Sequence, residues 1–288
     1  MVSRTKLTLA FLSLVGVGAG LAMCFNRGRW DRKTLQFVEA LRHPVPAQET
    51  RTVSFEDFDQ LPEPVAKYLR LALKEGQPLI HSVRIRQVGK LRGLGKSQAG
   101  WMPFRAVQFS SAMRPGFVWD ARIRASPLMQ MQVRDTYVAG QGAGQVSALS
   151  LVTIADEHGG AELAEGELLR YLAESVWFPT ALLPSAHLIW TPMDGDNARA
   201  TLTDVGTTVS LEFRFNDIGE VTSVYTSGRP QAVGGRYELM PWGGQHRAYE
   251  AKNGMWIPTE GEVEWHLPDG AFPVWKGKIV EAEYDYSA

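Results

Sequence analysis

The chain has 288 residues, 44% of them hydrophobic and 21% charged, an ordinary globular balance that argues against a disordered chain. The net charge of −1 is unevenly spread: Arg4, Lys6, Arg27, Arg29, Arg32 and Lys33 against Asp31 give residues 1–33 a charge of +5, leaving −6 for the rest. An acidic domain is the wrong sign for a polyanion, so no nucleic-acid partner is expected. The lone Cys24 excludes an internal disulfide framework and a cysteine-based zinc site.

Leu7 to Phe25 is an uncharged run preceded by Arg4 and Lys6. As a helix it would span about 28 Å, close to a bilayer core. Residues 1–33 are therefore expected to form an N-terminal transmembrane helix with a basic flank, placing the membrane contact at residues 7–25. Alternatives are a cleaved signal peptide at Gly20-Leu21-Ala22, and lipidation of Cys24 in a box that departs from the usual pattern at Met23. The short positive N-terminus favours an extracytoplasmic domain, although basic residues flank both sides.

Trp30 to Leu41 can continue as a juxtamembrane helix, ended by His43-Pro44-Val45-Pro46, because proline cannot continue a helix. Residues 34–52 read as a juxtamembrane linker and 53–288 as one β-rich domain. Ser54 with Asp57 resembles a capping box, followed by Val65, Leu69, Ala72 and Leu73 on one helical face.

From Leu79 onward a period of two dominates. Phe117, Trp119, Ala121 and Ile123 alternate with Val118, Asp120, Arg122 and Arg124, and Val209, Leu211, Phe213 and Phe215 repeat the pattern. Asn216-Asp217-Ile218-Gly219 and Pro268-Asp269-Gly270 are turns between such strands. One helix interrupts them, from Glu162 to about Trp177, with Leu168, Leu169, Leu172 and Val176 as its apolar stripe and Pro179 as its stop. The expected fold is mainly β (a β-rich α+β class): a curved antiparallel sheet or half-barrel with one or two packed helices.

No catalytic, metal or cofactor signature survives inspection. Gly89 to Ser97 looks like a phosphate-binding loop, but Lys90 stands where its first glycine belongs, and Gly100-Trp101-Met102-Pro103 replaces the helix that would complete the cradle. Asp194-Gly195-Asp196-Asn197 starts like a calcium loop and loses the pattern at Ala198 and Arg199. The histidines show no metal spacing. Two features remain. Arg170 and Glu174, with Glu167 before them, form either a solvated ion pair or a polar group turned into a cavity. The Phe117–Tyr137 hairpin carries Asp120, Arg122, Arg124, Gln130, Gln132 and Arg134 on a face that is either wet or lines the mouth of a half-barrel.

The stretches Arg114-Pro-Gly-Phe-Val-Trp-Asp-Ala-Arg122, Leu169-Arg-Tyr-Leu-Ala-Glu-Ser-Val-Trp-Phe-Pro-Thr-Ala-Leu-Leu-Pro184, Pro241-Trp242 and Trp256-Ile-Pro258 resemble an uncharacterised bacterial family labelled only as a domain of unknown function. The resemblance covers about residues 60–286 and implies no activity, cofactor or catalytic residue. A looser, fold-level likeness is to half-barrel carriers of the LolA/LolB and LppX type, which hold acyl chains between a curved sheet and helices. The preferred expectation is a membrane-tethered, non-catalytic protein holding a lipid or lipophilic ligand. Arg122, Arg124 and Arg170, with Glu174 beside them, would hold a polar head, and Trp119 and Trp177 would form the apolar wall. Alternatives are an envelope hydrolase using Glu174, Asp120 and His187, or a scaffolding protein of unknown partner.

Overall fold

The computed structural model describes residues 24–42, 51–93, 100–127 and 129–286. The expected membrane span at residues 7–25 lies almost wholly outside these. Among the described residues no helix is long and apolar enough to cross a membrane.

Among the described residues, thirteen strands form a single antiparallel sheet. Six run outward in sequence: β1 (Ile80–Leu91), β2 (Met102–Ser111), β3 (Gly116–Ser126), β4 (Met129–Val138), β5 (Gln141–Ala148) and β6 (Val152–His158). Seven return: β7 (Leu188–Pro192), β8 (Asn197–Asp204), β9 (Thr207–Phe215), β10 (Val221–Val233), β11 (Arg236–Lys252), β12 (Met255–Leu267) and β13 (Gly270–Tyr286). The spatial order is β6-β5-β4-β3-β2-β1-β13-β12-β11-β10-β9-β8-β7, so β1 and β13 pair at the centre while β6 and β7 are the edges. Among the described residues the sheet curls into a half-barrel with two helices in its hollow and a third on its outer face. The strand expectations from period two hold. Of the Gly89–Ser97 motif, Gly89 to Leu91 end β1, antiparallel to β2 with Leu91 opposite Met102, and residues 94–97 lie outside the described residues. Asp194 to Asp196 likewise connects β7 to β8.

Helix α3 (Ala161–Glu174) crosses the hollow from edge to edge, touching β3, β4 and β5 on one side and β9 and β10 on the other. Its Leu168, Leu169 and Leu172 are buried, each contributing roughly 1.5–3 kcal/mol of hydrophobic stabilisation. The helix comes close to β5 because Gly142 has no side chain: a Cβ there would lie 2.7 Å from the Leu163 carbonyl oxygen. A 3-10 turn, Ser175–Trp177, continues α3 as far as the sequence pattern predicts. Helix α2 (Glu63–Ala72) closes another part of the hollow with Val65, Tyr68 and Leu69, all fully buried. It begins after Pro62, and Ser54 makes no side-chain cap. The capping box read from Ser54 and Asp57 is not formed: Ser54 precedes a separate 3-10 turn, Phe55–Phe58, and Asp57 lies within it.

Residues 24–41 form a further helix, α1, on the opposite, convex side of the sheet. Trp30, Thr34 and Val38 recur every four residues on its buried face. Trp30 Nε1 donates to Asp120 Oδ2 at 2.8 Å, and Thr34 Oγ1 donates to the same oxygen at 2.6 Å. Arg134, buried in β4, donates to the Trp30 carbonyl at 3.1 Å and to Thr34 Oγ1 at 2.9 Å, with its guanidinium 4.2 Å from the Trp30 ring centroid. Arg122 reaches Asp31 at 2.9 Å. The polar face of the Phe117–Tyr137 hairpin is thus an outer face, and α1 covers part of it.

Candidate functional site

Two pleated faces and one helix stripe define the interior. On α3, Leu163, Glu167, Arg170 and Glu174 recur every three or four residues and so share one side; they face inward together with Ala173 and Trp177. On the sheet, every second residue of β3, β4, β11 and β12 turns toward them: Trp119 and Ile123, Val133 and Asp135, Trp242 and His246, Val263 and Trp265. Between helix and sheet lies a cavity of about 410 Å³.

Its apolar wall is aromatic. Trp119 meets Phe104 edge-on at 5.7 Å between centroids, Phe104 stacks on Trp275 at 5.8 Å, and Trp275 lies 6.4 Å from Trp177. The Trp275 indole can lie flat there because Gly277 offers no Cβ, which the ring would strike. Trp119 is held by its Nε1 donating to Gln87 Oε1 at 2.8 Å.

The polar groups fall into two clusters. In the first, Arg170 Nε donates to Glu174 Oε1 at 2.8 Å and Nη1 donates to Asp135 Oδ2 at 2.7 Å, with the guanidinium 4.8 Å from the Phe117 ring centroid. Glu174 Oε2 accepts from Gln108 Nε2 at 2.6 Å. Burial alone would lower the Arg170 pKa, but Glu174, Asp135 and Glu167 outweigh it and raise the value. Arg170 is a saturated cation locked between two carboxylates.

The second cluster is loosely made. Arg229 sits 4.6 Å from the Trp242 ring centroid and 5.6 Å from that of Trp265. Its nearest carboxylate, Glu167, is 3.9 Å away, beyond hydrogen-bond range. Burial lowers the Arg229 pKa against the pull of Glu167, and burial pushes the Glu167 carboxyl up to about 7 against the pull of Arg170. His246 is held down to about 4 by burial and is neutral at neutral pH. Arg229 Nε, Glu167 Oε2, Trp177 Nε1, Trp242 Nε1 and both ring nitrogens of His246 are buried without a hydrogen-bond partner in the protein. Every one of those residues lines this cavity.

The structure brings together Trp119, Arg170, Glu174 and Trp177 of the six residues singled out from sequence. Arg122 and Arg124 are not with them. Neighbours along a strand face opposite sides, so these two lie on the convex face, Arg122 bonded to Asp31 and Asp120, and Arg124 exposed. The hydrolase set is not assembled either: Asp120 is convex, Glu174 is in the cavity and His187 is exposed before β7. Among the described residues no group of acidic, histidine or cysteine side chains is arranged to hold a metal.

Sequence reasoning missed Arg229. From Val224 and Thr226, unbroken alternation would turn residue 228 inward, yet Thr226 pairs with Trp242 and Arg229 with Met240. One extra residue in β10 reverses the phase and aims Arg229 into the cavity. Gly228 was the only nearby signal, as glycine in a strand often marks a bulge.

No curated protein matches the chain. Among solved structures it is similar to a LolA superfamily protein from Nitrosomonas europaea, with 12% identity and a TM-score of 0.41, over 81% of this chain and 94% of that one. It is also similar to a β-barrel-like protein of a domain of unknown function (DUF1849) from Brucella abortus, with 11% identity and a TM-score of 0.23, over 72% of this chain and 98% of that one. The model of a family of unknown function (DUF6544) matches residues 51–277, most of the chain, and the protein belongs to that family.

Proposed function

We propose that the domain is a non-catalytic binding protein that holds a lipid or other lipophilic ligand between α3 and the concave face of the sheet. The observation that carries this reading is the cavity itself: about 410 Å³, walled by Trp119, Trp177, Trp242, Trp265 and Trp275. That size and lining fit a small-molecule site, which typically offers roughly 300–1,000 Å³ with few polar groups. Trp119 and Trp177 serve as apolar wall in this reading. Arg170 and Glu174 stiffen the site through their mutual bond, and Arg122 and Arg124 take no part in the cavity.

Tethering belongs to the same proposal. The uncharged run at residues 7–25 anchors the chain in a membrane and leaves the domain outside the cytoplasm; the supporting features are the length of that run and the basic residues before it. An alkaline phosphatase reporter fused after residue 50 should be active, and an inactive fusion would overturn the orientation. The binding reading is tested by native mass spectrometry of protein purified gently from cells, followed by extraction. A reproducible co-purifying lipophilic molecule is expected. Protein that is empty and also ignores added lipids would overturn it.

A further inference from the structure

Among the described residues, the buried side-chain polar atoms left without a protein partner all lie around one cavity, and they are rich in donors. Arg229 Nε, Trp177 Nε1 and Trp242 Nε1 can only donate. Leaving such groups unsatisfied is costly, so the site favours a ligand bearing acceptor oxygens. The two arginines are not equivalent as seats. Arg170 is closed by Asp135 and Glu174 at 2.7 and 2.8 Å. Arg229 is stacked on Trp242, with Glu167 only loosely opposite it at 3.9 Å.

We propose that a carboxylate at the head of a single-chain amphiphile docks on Arg229, replacing Glu167 as its counter-ion. The inference rests on the lipophilic-ligand reading and adds the head-group chemistry. Among the described residues that line the cavity, a single anionic charge matches the one cation not already closed by hydrogen-bonded carboxylates. The cavity, near the lower end of the usual size range, suits one chain.

The exchange sets a pH dependence. The charged and titratable groups facing Glu167 and the ligand are Arg170 and Glu174 on α3, Asp135 on β4 and Arg229 on β10. Beyond them come His246 on β11, Glu262 on β12 paired with Lys276 of β13, and Glu157 at the rim. Asp135 and Glu174 are engaged by Arg170, and Glu262 by Lys276. His246 is neutral near neutral pH. Glu157 stands exposed at the rim, and Glu167 is left as the buried group whose charge changes. Protonated, it frees Arg229 for the ligand; ionised, it competes for Arg229 and repels a second carboxylate. Affinity for the carboxylate therefore falls as pH rises through the Glu167 titration.

Delipidated protein would be titrated with dodecanoate and with dodecanol, reading tryptophan fluorescence, at about pH 6 and about pH 8. The acid should bind about tenfold more tightly than the alcohol at the lower pH, a difference of ~1.4 kcal/mol, and lose most of that advantage at the higher. Arg229→Gln should abolish the preference while alcohol binding persists, which also reports an intact fold. Glu167→Gln should keep the acid tightly bound at both pH values. Equal binding of acid and alcohol by the unmodified protein would overturn the head-group proposal and leave the lipophilic cavity standing. Binding of neither would overturn both.

Discussion

Removing Arg170 would leave Asp135 and Glu174 without their shared cation in a largely desolvated place. Breaking such a buried pair by deleting one partner typically costs ~3–5 kcal/mol. Arg170→Met should therefore lower the urea midpoint markedly. Glu167 and His246 make a second pair of opposed effects. The raised Glu167 pKa means the native state holds a proton that the unfolded chain has lost, so its contribution is present at low pH and fades as pH rises toward 7. The depressed His246 pKa means the unfolded chain gains a proton before the native state does, so its contribution fades as pH falls from about 6.5 toward 4. The two slopes oppose each other between roughly pH 4.5 and 6.5. Glu167→Gln should leave stability rising with pH across that window, and His246→Gln should leave it falling; matching slopes in the two variants would refute the assignment. At this scale the sequence was informative wherever periodicity was intact. Helical spacing put Glu167, Arg170 and Glu174 on one side, and strand alternation put Trp119 inward. It did not reveal which face of β3 was the hollow one, so Arg122 and Arg124 were grouped with residues lying across the sheet from them.

Helix α1 carries its energetics in a compact polar seam rather than an apolar stripe. Trp30 supplies a bond to Asp120 and a ring beneath Arg134, and Thr34 touches both charges. Trp30→Ala would remove the ring and leave Asp120 and Arg134 less well satisfied; large aromatic truncations in packed sites cost about 3–5 kcal/mol. The expected result is release of residues 24–42 from the sheet, seen as faster amide exchange and early proteolysis there. Ligand uptake should be unchanged, because the cavity is on the other face. Loss of uptake in that variant would show that the two faces are coupled. The helix itself was legible from Trp30 to Leu41, but its docking was not, because Asp120 and Arg134 look like any wet strand face until a helix is laid on them. The bulge in β10 was hidden for a related reason. An inserted residue changes the phase of everything after it, and no single side chain announces the change.

Across the whole molecule, the meander of thirteen strands was predictable as a class from alternation and short turns, whereas the pairing of β1 with β13 was not. Pairing between strands far apart in sequence leaves no local mark. The edges are also a property of the whole: β6 exposes Val152 and Ile154, and β7 exposes Ile189. Unpaired edges carrying apolar residues invite association. Ile154→Lys should reduce self-association measured by light scattering without changing ligand uptake. The central seam has a different consequence, for the order in which the protein can be built. Ile80 meets Tyr286 across β1 and β13, with most of the domain threaded between them. Until β13 is available, β1 and β12 are two further open edges, and the nascent domain is two half-sheets sharing one bridging helix. Closing so distant a contact is slow relative to local hairpins. A chain stopped before Gly270 would thus lose its middle rather than its margin, and a growing chain must be kept from other sheets until its final strand arrives.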